Sequence, residues 1–64
     1  MKAKSIDEAK SYAKAQSLNK DNEDVAIYII HCNRTASFYV DTDGLIRLWE
    51  QLIGYYINGV FTSE

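Results

Sequence analysis

Residues 43–59 read DGLIRLWEQLIGYYING, and the predicted architecture depends on how this stretch folds. Its apolar residues recur in pairs at helical spacing: Leu45, Ile46, Leu48, Trp49, Leu52, Ile53, Tyr56 and Ile57. At about 100° per residue these side chains cover an arc of about 200°, which is wider than one contact surface requires. We therefore predict a helix over residues 44–58 that packs against two surfaces, a sheet and either a second helix or another subunit.

The two ends of this stretch carry residues typical of helix termini. Asp43 is a favourable N-cap, and Asn58-Gly59 places glycine where helices commonly stop. A different interpretation treats Asp43-Gly44 as a hairpin turn, followed by a third strand over residues 45–48. Because the helical repeat continues without a break through the whole stretch, we favour the helix.

The N-terminal part of the chain carries a second helix signal. Ser5 and Glu8 have the spacing of a capping box, which predicts a helix over residues 6–18 after a flexible tail at residues 1–4. One face of this helix is narrow and carries small or apolar residues: Ile6, Ala9, Tyr12 and Ala13. Such a face allows close approach to a sheet but buries little area, so this helix depends on tertiary packing.

Two β-branched runs follow a polar connection at residues 19–24. They predict strands over about residues 25–32 and 36–41, joined by a turn. Pairing Cys32 with Thr35 gives one face that carries Val25, Ile27, Ile29, Phe38 and Val40. The other face then carries Ala26, Tyr28, Ile30, Cys32, Ser37, Tyr39 and Asp41. We expect the first face to be the core, because a slip of one residue would mix the two sets.

The predicted fold class is α+β, a small α-β-β-α domain over residues 1–64. An antiparallel two-stranded hairpin packs against two helices, extended either by a short C-terminal strand at Val60–Phe61 or by dimerisation. An isolated hairpin is marginally stable, and a chain of 64 residues buries only a small core. The single cysteine, Cys32, excludes an internal disulfide, so we expect a homodimer to supply the missing stability.

Composition and charge exclude several classes of protein. The chain is 47 % hydrophobic and contains no proline, which is typical of a folded domain and not of a disordered one. Its net charge of −2 disfavours non-specific binding to nucleic acid. No apolar signal segment follows Met1, and the predicted second helix is too short and too charged to span a membrane. We expect a cytoplasmic protein without membrane contact.

No set of residues predicts an enzyme, a cofactor site or a metal centre. His31 and Cys32 are neighbours on a strand, so their side chains point to opposite faces and do not form a catalytic pair. The segment Asp41–Gly44 begins like a calcium-binding loop, but its twelfth position is Leu52, which cannot bind calcium. We therefore expect no catalysis and no bound cofactor.

Two groups of charged residues suggest alternative functions. Lys10 and Lys14, one turn apart on the first helix, could contact phosphate together with Arg34, as in a nucleic-acid-binding accessory protein. Five carboxylates near one end of the hairpin could attract a cation: Asp21, Glu23, Asp24, Asp41 and Asp43. The first alternative conflicts with the acidic charge balance. The second is explained better by solvated loops and a helix cap.

The preferred function follows from apolar surface in excess of what one small core can use, which is typical of an interaction site. The predicted partner-binding residues are Tyr28, Ile30, Tyr39, Trp49 and Tyr55, because Trp and Tyr are common anchors of protein interfaces. We therefore predict a protein–protein interaction or regulatory adaptor module that acts as a homodimer.

Overall fold

The structure, a computed structural model, describes residues 2–64 and contains one α-helix and five strands. Its elements in chain order are β1 (Lys2–Ala3), α1 (Ile6–Ser17), a short 3-10 helix (Lys20–Asn22), β2 (Ile27–Cys32), β3 (Ser37–Asp41), β4 (Glu50–Ile57) and β5 (Val60–Ser63). The strands form one antiparallel sheet in the order β1-β3-β2-β4-β5. The helix α1 packs on one face of this sheet. We call that face the inner face and the opposite one the outer face.

The predicted helix over residues 44–58 is wrong, and so is the architecture of a hairpin packed against two helices. In its place β4 and β5 form a second hairpin, in which Ile57 pairs with Val60 across the two residues Asn58 and Gly59. Their φ angles are 50° and 84°, and two positive values are what a two-residue type I′ turn requires. The Asn-Gly pair is therefore a hairpin turn and not a helix stop.

A β-bulge in β4 explains why its apolar residues have helix-like spacing. Leu52 and Gly54 lie opposite consecutive residues of β2, so Ile53 between them is an extra residue in the strand. Ile53 and Tyr56, three residues apart, both pack with the inner core. Leu52 and Tyr55, also three apart, pair with outer-face residues of β2. The bulge thus converts the two-residue period of a strand into a local three-residue period.

The first hairpin, β2 and β3, lies within the two predicted strand ranges, but its register is shifted. Cys32 lies opposite Ser37 and not opposite Thr35. Because the shift is two residues, every side chain keeps its predicted face. Ile27 and Ile29 are accordingly buried on the inner face.

The helix α1 begins where the capping box predicts. The N–H of Glu8 donates to the side-chain oxygen of Ser5 at 3.2 Å, and the helix starts at the next residue, Ile6. Ala9 and Ala13 are fully buried, so the small face brings the helix backbone close to the sheet. The inner core consists of Ala3, Ala9, Ala13, Ile27, Ile29, Val40 and Tyr56. Lys2 and Ala3, within the predicted tail, form β1 and pair with β3.

Two connections cross the sheet on opposite faces. The strands β1 and β2 are parallel and flank β3, and α1 joins them over the inner face. The strands β3 and β4 are likewise parallel and flank β2. Residues 42–49, which contain neither helix nor strand, join β3 to β4 across the outer face. We call residues 42–49 the strap. The alternative third strand over residues 45–48 therefore does not occur.

The turn between β4 and β5 is bonded to two other parts of the chain. The hydroxyl of Ser17 donates to the carbonyl of Lys14 at 2.8 Å and accepts the N–H of Gly59 at 2.9 Å. The N–H of Asp24 donates to Asn58 Oδ1 at 3.1 Å, and Asn58 Nδ2 donates back to Asp24 Oδ1 at 2.7 Å. These bonds connect the turn to the end of α1 and to the segment before β2.

Candidate functional site

The strap lies with its backbone against the outer face of the sheet. A Cβ atom at Gly44 would lie 3.0 Å from the Tyr28 ring, so glycine lets the strap approach this ring without displacing it. At the end of the strap the carbonyl of Trp49 accepts the N–H of Asn33 at 2.9 Å. Ile30, on the outer face of β2, is only 5 % exposed. The strap therefore takes the place of a second packing layer.

Three large aliphatic side chains of the strap are exposed to solvent. Leu45 is 81 % exposed, Ile46 is 47 % exposed and Leu48 is 101 % exposed. Single exposed aliphatic residues are common, but three within four residues concentrate apolar surface in one short segment, which is typical of an interaction surface. We call these three residues the strap patch.

A tight turn explains the full exposure of Leu48. The N–H of Glu50 donates to the carbonyl of Arg47 at 3.0 Å, which closes a four-residue turn with Leu48 at its first central position. The N–H of Arg47 donates to Glu50 Oε1 at 2.8 Å, and its Nη1 lies 3.8 Å from Oε2. The backbone of the turn is thus held from both sides, and Leu48 projects from its tip.

Trp49 lies next to the strap patch between two arginines. The guanidinium carbon of Arg34, in the β2–β3 turn, is 3.7 Å from the centroid of the Trp49 ring. The guanidinium carbon of Arg47 is 5.9 Å from the same centroid. Arg34 therefore stacks closely on the half-buried indole, whereas Arg47 lies near the limit of a cation–π contact.

A cavity of about 310 Å³ lies between the strap and the outer face of the sheet. Cys32, which is 4 % exposed, contributes to its lining. The Thr35 hydroxyl, which bonds to the Cys32 side chain, lowers the pKa of the thiol. Burial and the Glu50 carboxylate act in the opposite direction. His31 lies on the inner face with its ring centroid 4.8 Å from that of Phe38. The two residues are therefore on opposite sides of β2.

The predicted partner-binding residues occupy different environments. Tyr28, Tyr39 and Tyr55 are half-buried on the outer face, and the ring centroids of Tyr28 and Tyr55 are 5.7 Å apart. Trp49 is at the end of the strap. Ile30 is buried beneath the strap and is not on the surface of the monomer.

Sequence reasoning did not identify the strap patch. Leu45, Ile46 and Leu48 fit the apolar arc of the predicted helix, so they were expected to be buried. The sequence feature that weakens the helix prediction is the Asn58-Gly59 pair, which is as compatible with a type I′ hairpin turn as with a helix end.

The basic groups behind the nucleic-acid alternative are separated in the structure. Lys10 lies over the Phe61 ring next to α1, whereas Arg34 is stacked on Trp49 at the other end of the sheet. Of the five carboxylates, Asp24 is bonded to Asn58. Within residues 2–64 no group of three histidine, cysteine, aspartate or glutamate side chains is placed to hold a metal ion.

None of the helical segments in residues 2–64 has the length and hydropathy that a membrane crossing requires. No protein-family model matches the chain, and neither a curated protein nor a solved structure shows significant similarity to it. The function is therefore inferred from the surface chemistry described above.

Proposed function

We propose that this chain is a cytoplasmic protein–protein interaction module that binds through the strap patch. The observation that carries the proposal is the exposure of Leu45, Ile46 and Leu48. Burying one fully exposed large aliphatic side chain contributes about 1.5 to 3 kcal/mol, so the exposed parts of the three together would contribute roughly 3 to 7 kcal/mol before the costs of association.

The surroundings of the strap patch are suited to a contact site. Trp49 and Arg34 lie at one end, and Trp and Arg are among the residues most enriched at the energetic centres of interfaces. The Arg47–Glu50 turn holds the backbone at Leu48, and the N–H of Leu45 donates to Asp43 Oδ1 at 2.9 Å, which limits the conformational freedom that these two residues lose on binding.

A homodimer with two straps in contact across a twofold axis is the simplest form of this proposal, because a twofold contact uses the same patch on both copies. The original reason for a homodimer was a thin two-stranded sheet, and the five-stranded sheet removes that reason. The strap patch now supplies an independent one.

Light scattering over a wide concentration range tests this proposal with the double variant Leu45→Ser and Leu48→Ser. We expect a dimer of the unsubstituted chain and a dissociation constant raised about a hundredfold by the two substitutions. The matched control is Leu18→Ser, because Leu18 is 62 % exposed at the end of α1, away from the strap.

Two results would contradict the dimer. The unsubstituted chain could remain a monomer at the highest concentration, or the strap variant could dimerise as tightly as the control. In the first case the strap patch would have to bind a different protein. In the second case the contact would lie elsewhere on the surface.

A further inference from the structure

The strand β5 is an open edge of the sheet. Ile57 pairs with Val60 across a two-residue turn, and Glu64 N donates to Ile53 O at 3.1 Å. Because antiparallel ladders bond at every second residue, the peptide groups of Phe61 and Ser63 point away from β4. Among the strands of residues 2–64, none pairs with that side of β5.

This edge lacks the features that usually prevent edge pairing. Natural edge strands carry lysine, proline or a bulge, or they are very short. The opposite edge, β1, has two residues, Lys2 and Ala3, and Lys4 follows it. The strand β5 has four residues, reads Val-Phe-Thr-Ser, and pairs with β4 without a bulge. It is therefore the edge that is able to accept another strand.

Two lysines of α1 lie along the inner side of this edge. Lys10 Nζ is 4.5 Å from the centroid of the Phe61 ring. Lys14 follows one turn later on the same side of the helix. Ser17, at the end of that side, accepts the N–H of Gly59 through its hydroxyl. The ion pair found within residues 2–64 joins Arg47 and Glu50, so neither lysine has a carboxylate within salt-bridge distance there.

We propose that β5 binds an extended segment of a partner protein with acidic residues at alternate positions. The segment would add a sixth strand by bonding to the peptide groups of Phe61 and Ser63. An acidic side chain opposite Phe61 would point to the inner side, toward Lys10, and the next one toward the Asn58-Gly59 turn would lie nearer Lys14. Residues four apart on a helix are separated by about 6 Å, and alternate residues on a strand by about 6.8 Å, so the two spacings match.

A second copy of this chain fits the edge less well. Its own β5 would place Phe61 and Ser63 on the inner side, and neither is acidic. Pairing two such strands would also bring the Lys10 residues of both copies closer together. Charge complementarity therefore favours a different, acidic segment. This surface is separate from the strap patch, so the inference goes beyond the proposed function and is tested independently.

Hydrogen exchange and fluorescence anisotropy with a short labelled peptide test the proposal. The peptide alternates glutamate with valine, and the matched peptide carries glutamine in place of glutamate. We expect the glutamate peptide to bind about tenfold more tightly than the glutamine peptide. On binding, amide exchange should slow at Phe61 and Ser63, whose N–H groups face the open edge, and change little at Thr62.

Three variants distinguish the contribution of the two lysines from that of the open edge of β5. Lys10→Glu with Lys14→Glu should remove the preference for the glutamate peptide. Ser63→Pro should weaken both peptides, because it removes one outward N–H and leaves the bonds to β4 intact. The strap variant Leu45→Ser and Leu48→Ser should bind both peptides normally, which distinguishes this site from the strap patch. Unfolding in urea identifies any variant that does not fold.

Several results would overturn the proposal. Equal binding of the two peptides, or binding that the lysine substitutions leave unchanged, would exclude the acidic segment. A dimer that Ser63→Pro dissociates would assign the edge to a second copy. A short single-stranded oligonucleotide that binds more tightly than the peptide, with steep salt dependence and no effect of Ser63→Pro, would assign the lysines to nucleic acid.

Discussion

Three residues other than glycine in residues 2–64 have positive φ angles, and only two of them have side chains that compensate. Asp24 (61°) and Asn58 (50°) bond to each other in both directions. Asp and Asn also tolerate this conformation better than other residues, because their short polar side chains bond locally. Ala36 (52°) has no such side chain. Its backbone strain is therefore uncompensated.

Replacing Ala36 with glycine should stabilise the protein by about 0.5 to 1 kcal/mol. Glycine removes the steric cost of the left-handed conformation, and its larger unfolded-state entropy offsets only part of the gain. Urea denaturation measures the change. The matched control is Ala15→Gly on the exposed side of α1, which should lose about 1 kcal/mol. An equal loss at both positions would show that Ala36 is not strained.

Single residues also show what the sequence can predict. The bond from Glu8 to Ser5 involves residues three apart, so a local pattern was sufficient to predict where α1 begins. Asn58-Gly59 is equally local, but it is compatible with a helix end and with a hairpin turn. Its meaning depends on whether Val60 pairs with Ile57, and that pairing belongs to the next level of structure.

The hairpin of β4 and β5 depends on Gly54. A Cβ atom there would lie 2.5 Å from the carbonyl oxygen of Thr62 and 2.7 Å from the Phe61 ring. The Phe61 ring thus occupies the space that a side chain on Gly54 would fill. Because one of the two neighbours is backbone, the strand must move to accommodate even a methyl group.

Gly54→Ala should destabilise the protein by about 1 to 3 kcal/mol, as other overpacked sites do. The matched control is Gly44→Ala, where the nearest atoms belong to the Tyr28 ring, at 3.0 to 3.2 Å, and can move. Its cost in free energy of unfolding should be smaller. Equal costs at the two glycines, measured by urea denaturation, would contradict the close approach of β5 to β4.

Sequence patterns predicted β2, β3 and α1 and offered a short C-terminal strand at Val60–Phe61, where β5 lies, but they did not predict β4, for a physical reason. A two-residue period indicates a strand and a 3.6-residue period indicates a helix, and a bulge locally replaces the first with a three-residue period that resembles the second. The extra residue Ile53 leaves Leu52 and Tyr55 on one side and Tyr56 on the other. Over residues 52–56, little more than one helical turn, that pattern matches a helix as well as a bulged strand, and only pairing with β2 distinguishes the two.

In the molecule as a whole, α1 covers more of the apolar surface of the sheet than the strap does. Most of the buried core lies on the inner face beneath α1. The strap covers Ile30 and Cys32 on the outer face and exposes most of its own apolar side chains. The sheet and α1 should therefore fold without the strap side chains.

Replacing residues 44–48 with glycine and serine at the same length should leave cooperative unfolding intact. It should also speed the reaction of Cys32 with iodoacetamide, because the strap limits access to the thiol. Measuring the rate across pH separates access of the reagent to the thiol from the pKa of the thiol. The Thr35 hydroxyl keeps the pKa of Cys32 lowered in both proteins, so the two curves of rate against pH should have similar midpoints. An unchanged rate would show that the strap does not cover Cys32.

The topology itself could not be read from the sequence. The pairs β1–β3 and β2–β4 join residues far apart in the chain, and local patterns carry no information about which strands meet. The sequence did indicate apolar surface beyond the needs of one core. The prediction placed that surface at the tyrosines and Trp49, because a helix over residues 44–58 would use Leu45, Ile46 and Leu48 for packing.

The crossing of the strap over β2 has a consequence for proteolysis. A protease that cleaves at the exposed Leu45–Leu48 segment would produce two fragments, and the β2–β4 ladder would be their main connection. Neither fragment has a complete sheet. Folding would then change from a unimolecular to a bimolecular reaction, and the stability of the nicked protein would depend on its concentration. One peptide bond thus determines whether dilution unfolds this molecule.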